Sequence, residues 1–254
     1  MTEDKKAIFV RRLFSRVPAE YDWLLDILSL RQDRHWRDSL VQAVDLSNSN
    51  LVLDVATGTG LVASRLAKKI GNNGLVIGVD LTLPMLQTAK ATLSTKGQGR
   101  SVDWVLARAE NLPFKDEVFG ASTISLALRN VSDAQMTISE MSRVTASNGL
   151  VASLDFARPL HNVQRFLYYP YILAFFPLIG RLVSKAWYDT FRYLGPSILR
   201  ARTGRQVANI MKQEGVPDAR SVPLTGGIVC LVYGRKLDHA QWKRKMHEPS
   251  TVSP

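Results

Sequence analysis

The chain has 254 residues, 46% of them hydrophobic, with 33 Lys and Arg against 22 Asp and Glu, a formal net charge of +11. That length and apolar share suit one globular domain with additions, and the lone cysteine, Cys230, excludes an internal disulfide or a multi-cysteine metal site. His35, His161, His239 and His247 lack metal-ligand spacing, so no metal is expected, and the basic excess fits nucleic acid, an anionic membrane surface or simple solubility.

The opening MTEDKKAIFVRRLF has an apolar run too short for a secretory signal, which leads us to expect a cytoplasmic, reducing setting. Residues 1–45 read as helical. Phe9, Leu13, Phe14 and Val17 share one face, and Leu24, Leu25, Ile27, Leu28 and Leu30 follow a break at Pro18. Such a segment forms either a lid across a cleft or a packing helix pair. Residues 46–158 then alternate strands and helices, the pattern of a parallel sheet covered on both faces. The spacing predicts strands at Leu51–Val55, Leu75–Val79, Val102–Ala107, Phe119–Leu126 and Leu150–Phe156. Helices are predicted at Leu61–Ile70, Leu83–Leu93 and Ala134–Val144. Right-handed crossovers bring the strand carboxyl ends to one edge, where ligands bind.

Residues 159–200 break that rhythm. Phe166–Gly180 is uncharged and aromatic, carries Pro170 and Pro177, and is shorter than the roughly 20 residues of a membrane span, so insertion helices are expected. They serve either as an apolar wall over the site or as satellite core. Within residues 201–236, Arg205–Glu214 reads as a helix, and Ala219–Leu224 and Gly227–Tyr233 as a hairpin turning at Thr225-Gly226-Gly227. Residues 237–254 form a basic tail. Cys230 reads as a small core residue of the last strand.

The stretch LVLDVATGTG, Leu51–Gly60, is a strand opening into a glycine-rich turn and a helix start. Gly58 and Gly60 carry no Cβ to block a ligand's approach. Some twenty residues on, Asp80 ends the second strand, where a carboxylate can accept both hydroxyls of a ribose. This fits any nucleoside cofactor. Gly58-Thr59-Gly60 followed by Leu61-Val62-Ala63 is at best a degenerate GxGxxA, which argues against a dinucleotide. Asp54 beneath the turn suits either a carboxylate serving the cofactor or a loop cap.

In order and spacing, several stretches resemble the ubiquinone/menaquinone biosynthesis C-methyltransferases, class I enzymes dependent on S-adenosyl-L-methionine (SAM). They are Tyr21-Asp22 with Trp36, LDVATGTG, GVDLTLPML, AENLPF, TISLALRNVSD, SEMSRV and the terminal LTGGIVCLVYGRK. The resemblance spans about Phe14 to Lys236. It implies a Rossmann-like α/β fold: a mostly parallel sheet, a C-terminal antiparallel hairpin, an N-terminal helical lid and an apolar helical insertion. It further implies that Thr59 meets the methionine end of SAM, Asp80 the ribose and Ala109 the adenine through its backbone N–H, with Ser125 a further contact. Arg108 stands where the family has a small polar or acidic residue, so the adenine amino group needs another acceptor.

The reaction implied is methylation of a ring carbon of a lipophilic quinol or another phenolic molecule. Arg129, in LRNV, would then steady the developing phenolate. Tyr21, Tyr188 and Tyr193 are substrate-side candidates. A SAM-binding protein that no longer catalyses is the rival reading, motivated by Arg108 and by Gly120 in place of the family's acid. The fourth strand lacks the Asn/Asp-Pro-Pro-Tyr/Phe signature of amine methylation on bases, so no nucleic acid is expected as partner. Basic ends and the aromatic insertion suit peripheral membrane contact. A homodimer is compatible with the chain, and nothing in the sequence selects an oligomeric state.

Overall fold

The computed structural model describes residues 3–17, 21–45, 50–95, 101–159 and 162–238. Three N-terminal helices come first: α1 (Glu3–Phe14), α2 (Tyr21–Leu28) and α3 (Gln32–Ala43). Pro18 lies outside the described residues. Leu13, Phe14 and Val17 are buried, and the exposed Phe9 sets its ring edge-on to Tyr193, centroids 5.3 Å apart.

The core follows as β1 (Leu51–Val55), α4 (Leu61–Ile70), β2 (Leu75–Asp80), α5 (Leu83–Thr95), β3 (Val102–Leu106), β4 (Phe119–Ser125), α6 (Ala134–Val144) and β5 (Thr145–Phe156). Both faces of these strands are apolar, so they pair in parallel and are covered by helices on each side. Asp133 starts α6 by accepting the Gln135 and Met136 backbone N–H groups at 2.8 and 3.0 Å. β5 begins five residues before the expected Leu150. Thr145 pairs with Phe119, and a register shift before Ala121 absorbs the residues around Asn148, whose φ is +63°.

The insertion forms α7 (Asn162–Pro170), a π-helical turn (Tyr171–Phe175), α8 (Phe176–Val183) and α9 (Lys185–Leu199). Pro170 and Pro177 do not break the path. The widened turn follows Pro170, which has no N–H to give, and Pro177 falls in the first turn of α8, where none is needed. Phe166–Val183 is therefore one helical run, long and apolar enough to cross a membrane by length and composition, with only 17% of it buried. Its inner face is fixed to α9. Phe176 meets Phe191 at 5.2 Å, and at Gly180 a Cβ would come within 2.7 Å of the Phe191 ring.

The chain closes with α10 (Gly204–Gln213), started by a Thr203–Gln206 capping box, then β6 (Arg220–Leu224) and β7 (Val229–Arg235). The seven strands run in the order β3-β2-β1-β4-β5-β7-β6, with β7 antiparallel to both of its neighbours. The Trp36 indole N–H donates to the Thr225 hydroxyl at 2.7 Å, tying α3 to the hairpin turn. Two apolar clusters result. One joins the N-terminal helices, α4 and the insertion, through residues such as Leu28, Trp36, Ile172 and Trp187; the other packs α6 and α10 on the opposite sheet face.

Candidate active site

The carboxyl ends of β1, β2 and β4 open onto one cavity, lined by Ala56–Thr59, Asp80–Thr82, Met85, Ala107, Ala109, Glu110 and Ser125–Ala127, among others. From α1, Ala7, Val10 and Phe14 close one side. The chain turns sharply where each strand ends. Ala56, Gly58 and Gly60 have φ of +52°, +57° and +79°, and Leu126 has +55°. Non-glycine residues are costly in that region, and here two of them sit at the rim of the cavity. At Gly60 a Cβ would stand 2.7 Å from the Trp104 ring, so close helix–strand packing excludes any side chain.

Asp80 accepts the Gly58 N–H and the Thr82 N–H, each at 2.8 Å, and so holds the glycine turn open. Burial raises its pKa, and those backbone bonds work against the rise. The Thr82 hydroxyl and the Leu81 N–H also reach this carboxylate, which lines the cavity as a negatively charged acceptor at the end of β2. Ser125 Oγ is buried in the cavity wall without a hydrogen-bond partner among the described residues. An unsatisfied hydroxyl of that kind is costly until a polar ligand arrives. These residues fit a nucleoside cofactor.

Two acids missing from the sequence-based candidates bear on the cavity, Asp22 from behind Thr59 and Glu110 in its wall. Asp22, on α2, accepts the Thr59 hydroxyl at 2.6 Å and latches the N-terminal segment to the glycine turn. Glu110 accepts the Ser132 N–H at 2.7 Å and lies 3.6 Å from Arg108. Arg108 does not line the cavity, whereas Glu110 does and presents a carboxylate acceptor there. The buried Arg37, paired with Asp33 at 2.8 Å, adds a cation to the same wall.

The segment after β4 separates this cavity from a neighbouring chamber of about 380 Å³, lined by Lys6, Leu128, Arg129, Asp155, Phe156 and Tyr193, among others. Arg129 is held on every side: its side chain is 4% exposed, pairs with Asp155, donates to the Leu126 carbonyl at 2.6 Å and lies over the Phe156 ring at 4.8 Å. The Nε of Arg129 has no hydrogen-bond partner among the described residues. Tyr193 donates to Asn130 Oδ1 at 3.2 Å, across the wall between the two spaces.

A model of the ubiE/COQ5 methyltransferase family matches residues 1–236. The chain belongs to that family. It is 34% identical over 227 residues, 89% of this chain and 96% of the relative, to the ubiquinone/menaquinone biosynthesis C-methyltransferase UbiE of Citrifermentans bemidjiense. It is also 34% identical over 221 residues, 87% and 95% of the two chains, to a 2-phytyl-1,4-naphtoquinone methyltransferase of Nostoc sp.. Among solved structures, a SAM-dependent methyltransferase from Aquifex aeolicus aligns with a TM-score of 0.59 at 18% identity, covering 79% of this chain and 89% of that one. A putative methyltransferase from Haloferax volcanii, solved with its activator, aligns at 0.62 and 17% identity, covering 89% and 98%. The protein is thus a SAM-dependent methyltransferase with the class I fold.

Within the ubiE/COQ5 family frame, the remaining candidates fall in different places. Gly58, Thr59, Gly60, Asp80, Ala109 and Ser125 were expected at the cofactor; the first two, Asp80, Ala109 and Ser125 line the cavity, with Gly60 just beneath. Asp54 lies under the turn, not in the wall. Tyr188 packs its ring against Arg192 on α9 and lines neither space. Tyr21 opens α2, and its side chain lies outside the described residues. Tyr168, which the sequence reading missed, has a buried hydroxyl without a partner among the described residues; burial pushes its pKa up, and the Arg129 charge draws it back. Cys230 is half-buried in β7, and burial raises its thiol.

Asp54 accepts the Thr57 and Thr123 hydroxyls at 2.6 and 2.8 Å, yet burial lifts its pKa from 3.8 to about 6. The folded chain holds this proton more tightly than the unfolded chain, so the group's contribution to stability falls as pH rises from 3.8 to about 6. Asp54→Asn, whose amide can serve both threonines, should flatten that part of the curve and gain at most about 3 kcal/mol at pH 7. Urea melts of both proteins at pH 4.5, 5.5 and 7, conditions spanning roughly that window, check this; parallel curves for the two would refute it.

Proposed function

We propose that the chain methylates a ring carbon of a lipophilic quinol at a membrane surface, with Arg129 as the group that steadies the ring oxygen. The carrying observation is the burial of Arg129 beside the cofactor cavity with its Nε unpartnered. Bound SAM supplies an electrophilic methyl group on a sulfonium. A phenol carbon attacks poorly until its neighbouring hydroxyl gives up a proton, and a fixed guanidinium lowers the pKa of that hydroxyl. Because Asp155 and Leu126 hold Arg129 in place, little reorganisation is needed as negative charge develops. Phe156 and Tyr193 flank the ring space, Tyr168 offers a hydroxyl near Arg129, and α1 excludes water from the cofactor side. The names of the relatives, all quinone or naphthoquinone methyltransferases, support a quinol acceptor.

The outer face of the insertion supports the membrane setting. Phe166 and Leu167 on α7, Leu173 in the π-helical turn and Leu178 and Leu182 on α8 are exposed, as are Trp23 and Ile27 on α2 and Leu30 just after it. Tyr171 joins the insertion to α2 by donating to the Leu28 carbonyl at 2.6 Å. A contiguous apolar face of this kind, edged by Arg181 and Lys185, suits a helix lying in the plane of an anionic interface.

Methyl transfer from labelled SAM to a prenylated demethylnaphthoquinol in mixed anionic vesicles tests the reading. The labelled ring-methyl product is expected; SAM binding without that product would refute the quinol. Leu178→Asp with Leu182→Asp should abolish co-sedimentation with the vesicles and leave SAM affinity unchanged. Sedimentation equal to the parent chain would remove the membrane role.

A further inference from the structure

A groove of about 500 Å³ runs between α1 and α9. Phe9, Leu13 and Tyr193 give it an apolar lining, and three cations, Arg12, Arg16 and Arg192, with one acid, Asp189, complete the wall. Positions 9, 12, 13 and 16 recur at intervals of three and four, so they share one face of α1, while Ala7, Val10 and Phe14 on another face close the cofactor cavity. Arg12 and Arg16 are exposed and have no side-chain hydrogen bond or ion pair among the described residues. Arg192 rests over the Tyr188 ring at 5.6 Å.

Guanidinium groups match phosphate oxygens in paired geometry. The apolar neighbours select the source of that phosphate. Ile8 and Phe9 are large side chains left exposed one turn before Arg12. A free phosphate gains nothing from them, whereas a phospholipid carries acyl chains directly beneath its phosphate. Cations beside exposed apolar residues on one helix face suit a helix lying in an anionic interface. The groove also continues the apolar insertion, because Lys185, Asp189 and Arg192 share a face of α9 that leads from the edge of that patch into the groove. Arg192 and Tyr193 line the chamber beside Arg129 as well, so groove and chamber adjoin.

We propose that the groove between α1 and α9 holds the phosphate of an anionic phospholipid, with Arg12, Arg16 and Arg192 around its oxygens and Ile8 and Phe9 against the first methylenes of its acyl chains. The inference rests on the membrane setting proposed above and gives that setting a headgroup preference. The neutral quinol keeps the chamber beside Arg129, and the lipid lies outside it in the adjoining groove.

Co-sedimentation of the full chain with phosphatidylcholine vesicles, and with vesicles that also carry phosphatidylglycerol, tests the groove. Phosphatidylglycerol should strengthen binding, and added salt should reverse that gain. Arg12→Ala with Arg16→Ala should lower binding to the phosphatidylglycerol vesicles by at least about tenfold, keep binding to phosphatidylcholine within about threefold and leave SAM affinity unaltered. Lys5→Ala with Arg11→Ala removes the same charge from exposed positions of α1 outside the groove, and should keep the preference. A first pair that keeps the preference, or a second pair that loses as much of it, overturns the site. Glycerol 1-phosphate carries the phosphate without the acyl chains and should not release the chain from the vesicles at a matched phosphate concentration. Release would assign the groove to a soluble phosphate ester and overturn the lipid. A parent chain that binds both kinds of vesicle equally refutes the groove and leaves the membrane setting standing, whereas one that binds neither refutes both. A chain that shows the preference yet methylates no quinol refutes the proposed reaction and upholds the groove.

Discussion

Arg129→Ala should lower methyl transfer by about 10²- to 10³-fold, the usual loss when one donor to a developing oxyanion is removed, while SAM affinity stays within about threefold of the parent. The side chain sits between Asp155 and the Phe156 ring, and Asn130, the next residue, lines the cofactor cavity. Removal also strands the Asp155 carboxylate, and a buried acid without its partner costs about 3–5 kcal/mol. A loss of turnover could therefore reflect a loosened fold. Arg129→Ala combined with Asp155→Asn separates the two, because it removes the orphaned charge together with the donor. Recovered thermal stability with turnover still low assigns Arg129 to the reaction; recovered turnover would reduce it to a structural ion pair. The acidic limb of the kcat profile gives an independent readout. It should move to higher pH in the variant, since the acceptor hydroxyl is then no longer acidified by a neighbouring cation.

The second large effect is on cofactor affinity. The proposal that Asp80 accepts the ribose hydroxyls of SAM predicts that Asp80→Ala weakens SAM binding by about 100-fold or more, since charge-assisted bonds of this kind are each worth about 1.5–3 kcal/mol. The same carboxylate ties Gly58 to Thr82 through their N–H groups, so its loss also frees the turn that the cofactor must meet. Asp80→Asn keeps the shape but turns an amide toward one of those donors, and its affinity should fall between parent and alanine variant. Calorimetric titration with SAM, alongside melting curves without it, checks both. Affinity within a few-fold of the parent in the alanine variant would exclude Asp80 from the ribose site.

Both predictions draw on features of different legibility. The alternation of apolar strands with amphipathic helices is a local pattern, and from Leu51 to Phe156 it placed every strand of the parallel sheet with end errors of a few residues. The largest error, the early start of β5 at Thr145, came from a bulge, which adds residues to one strand without changing its apolar alternation. The insertion helices expected around Pro170 and Pro177 are present, joined more continuously than two prolines suggest. Each lacks an N–H, but a π-helical turn and a helix start are places where that N–H is dispensable.

What the amino-acid order determined unaided is the sheet, the glycine turn with Asp80 at the next strand end, and the motif run that marks the family. These depend on neighbours in sequence or on fixed spacing along a βαβ unit. Only the tertiary structure decided how the walls are completed. Asp22 reaches Thr59 over 37 positions, Lys6 reaches Arg129 over 123, and Tyr193 reaches Asn130 over 63. Glu110 rather than Arg108 faces the cavity, and the cations Lys6, Arg129, Arg192, Arg200 and Arg202 of the neighbouring chamber come from α1, the segment after β4, α9 and the α9–α10 junction. Side-chain charges carry no periodic signature along the chain. Their meeting point is set by how α1 and α9 dock on the sheet, and that docking follows from buried apolar area distributed over the whole molecule.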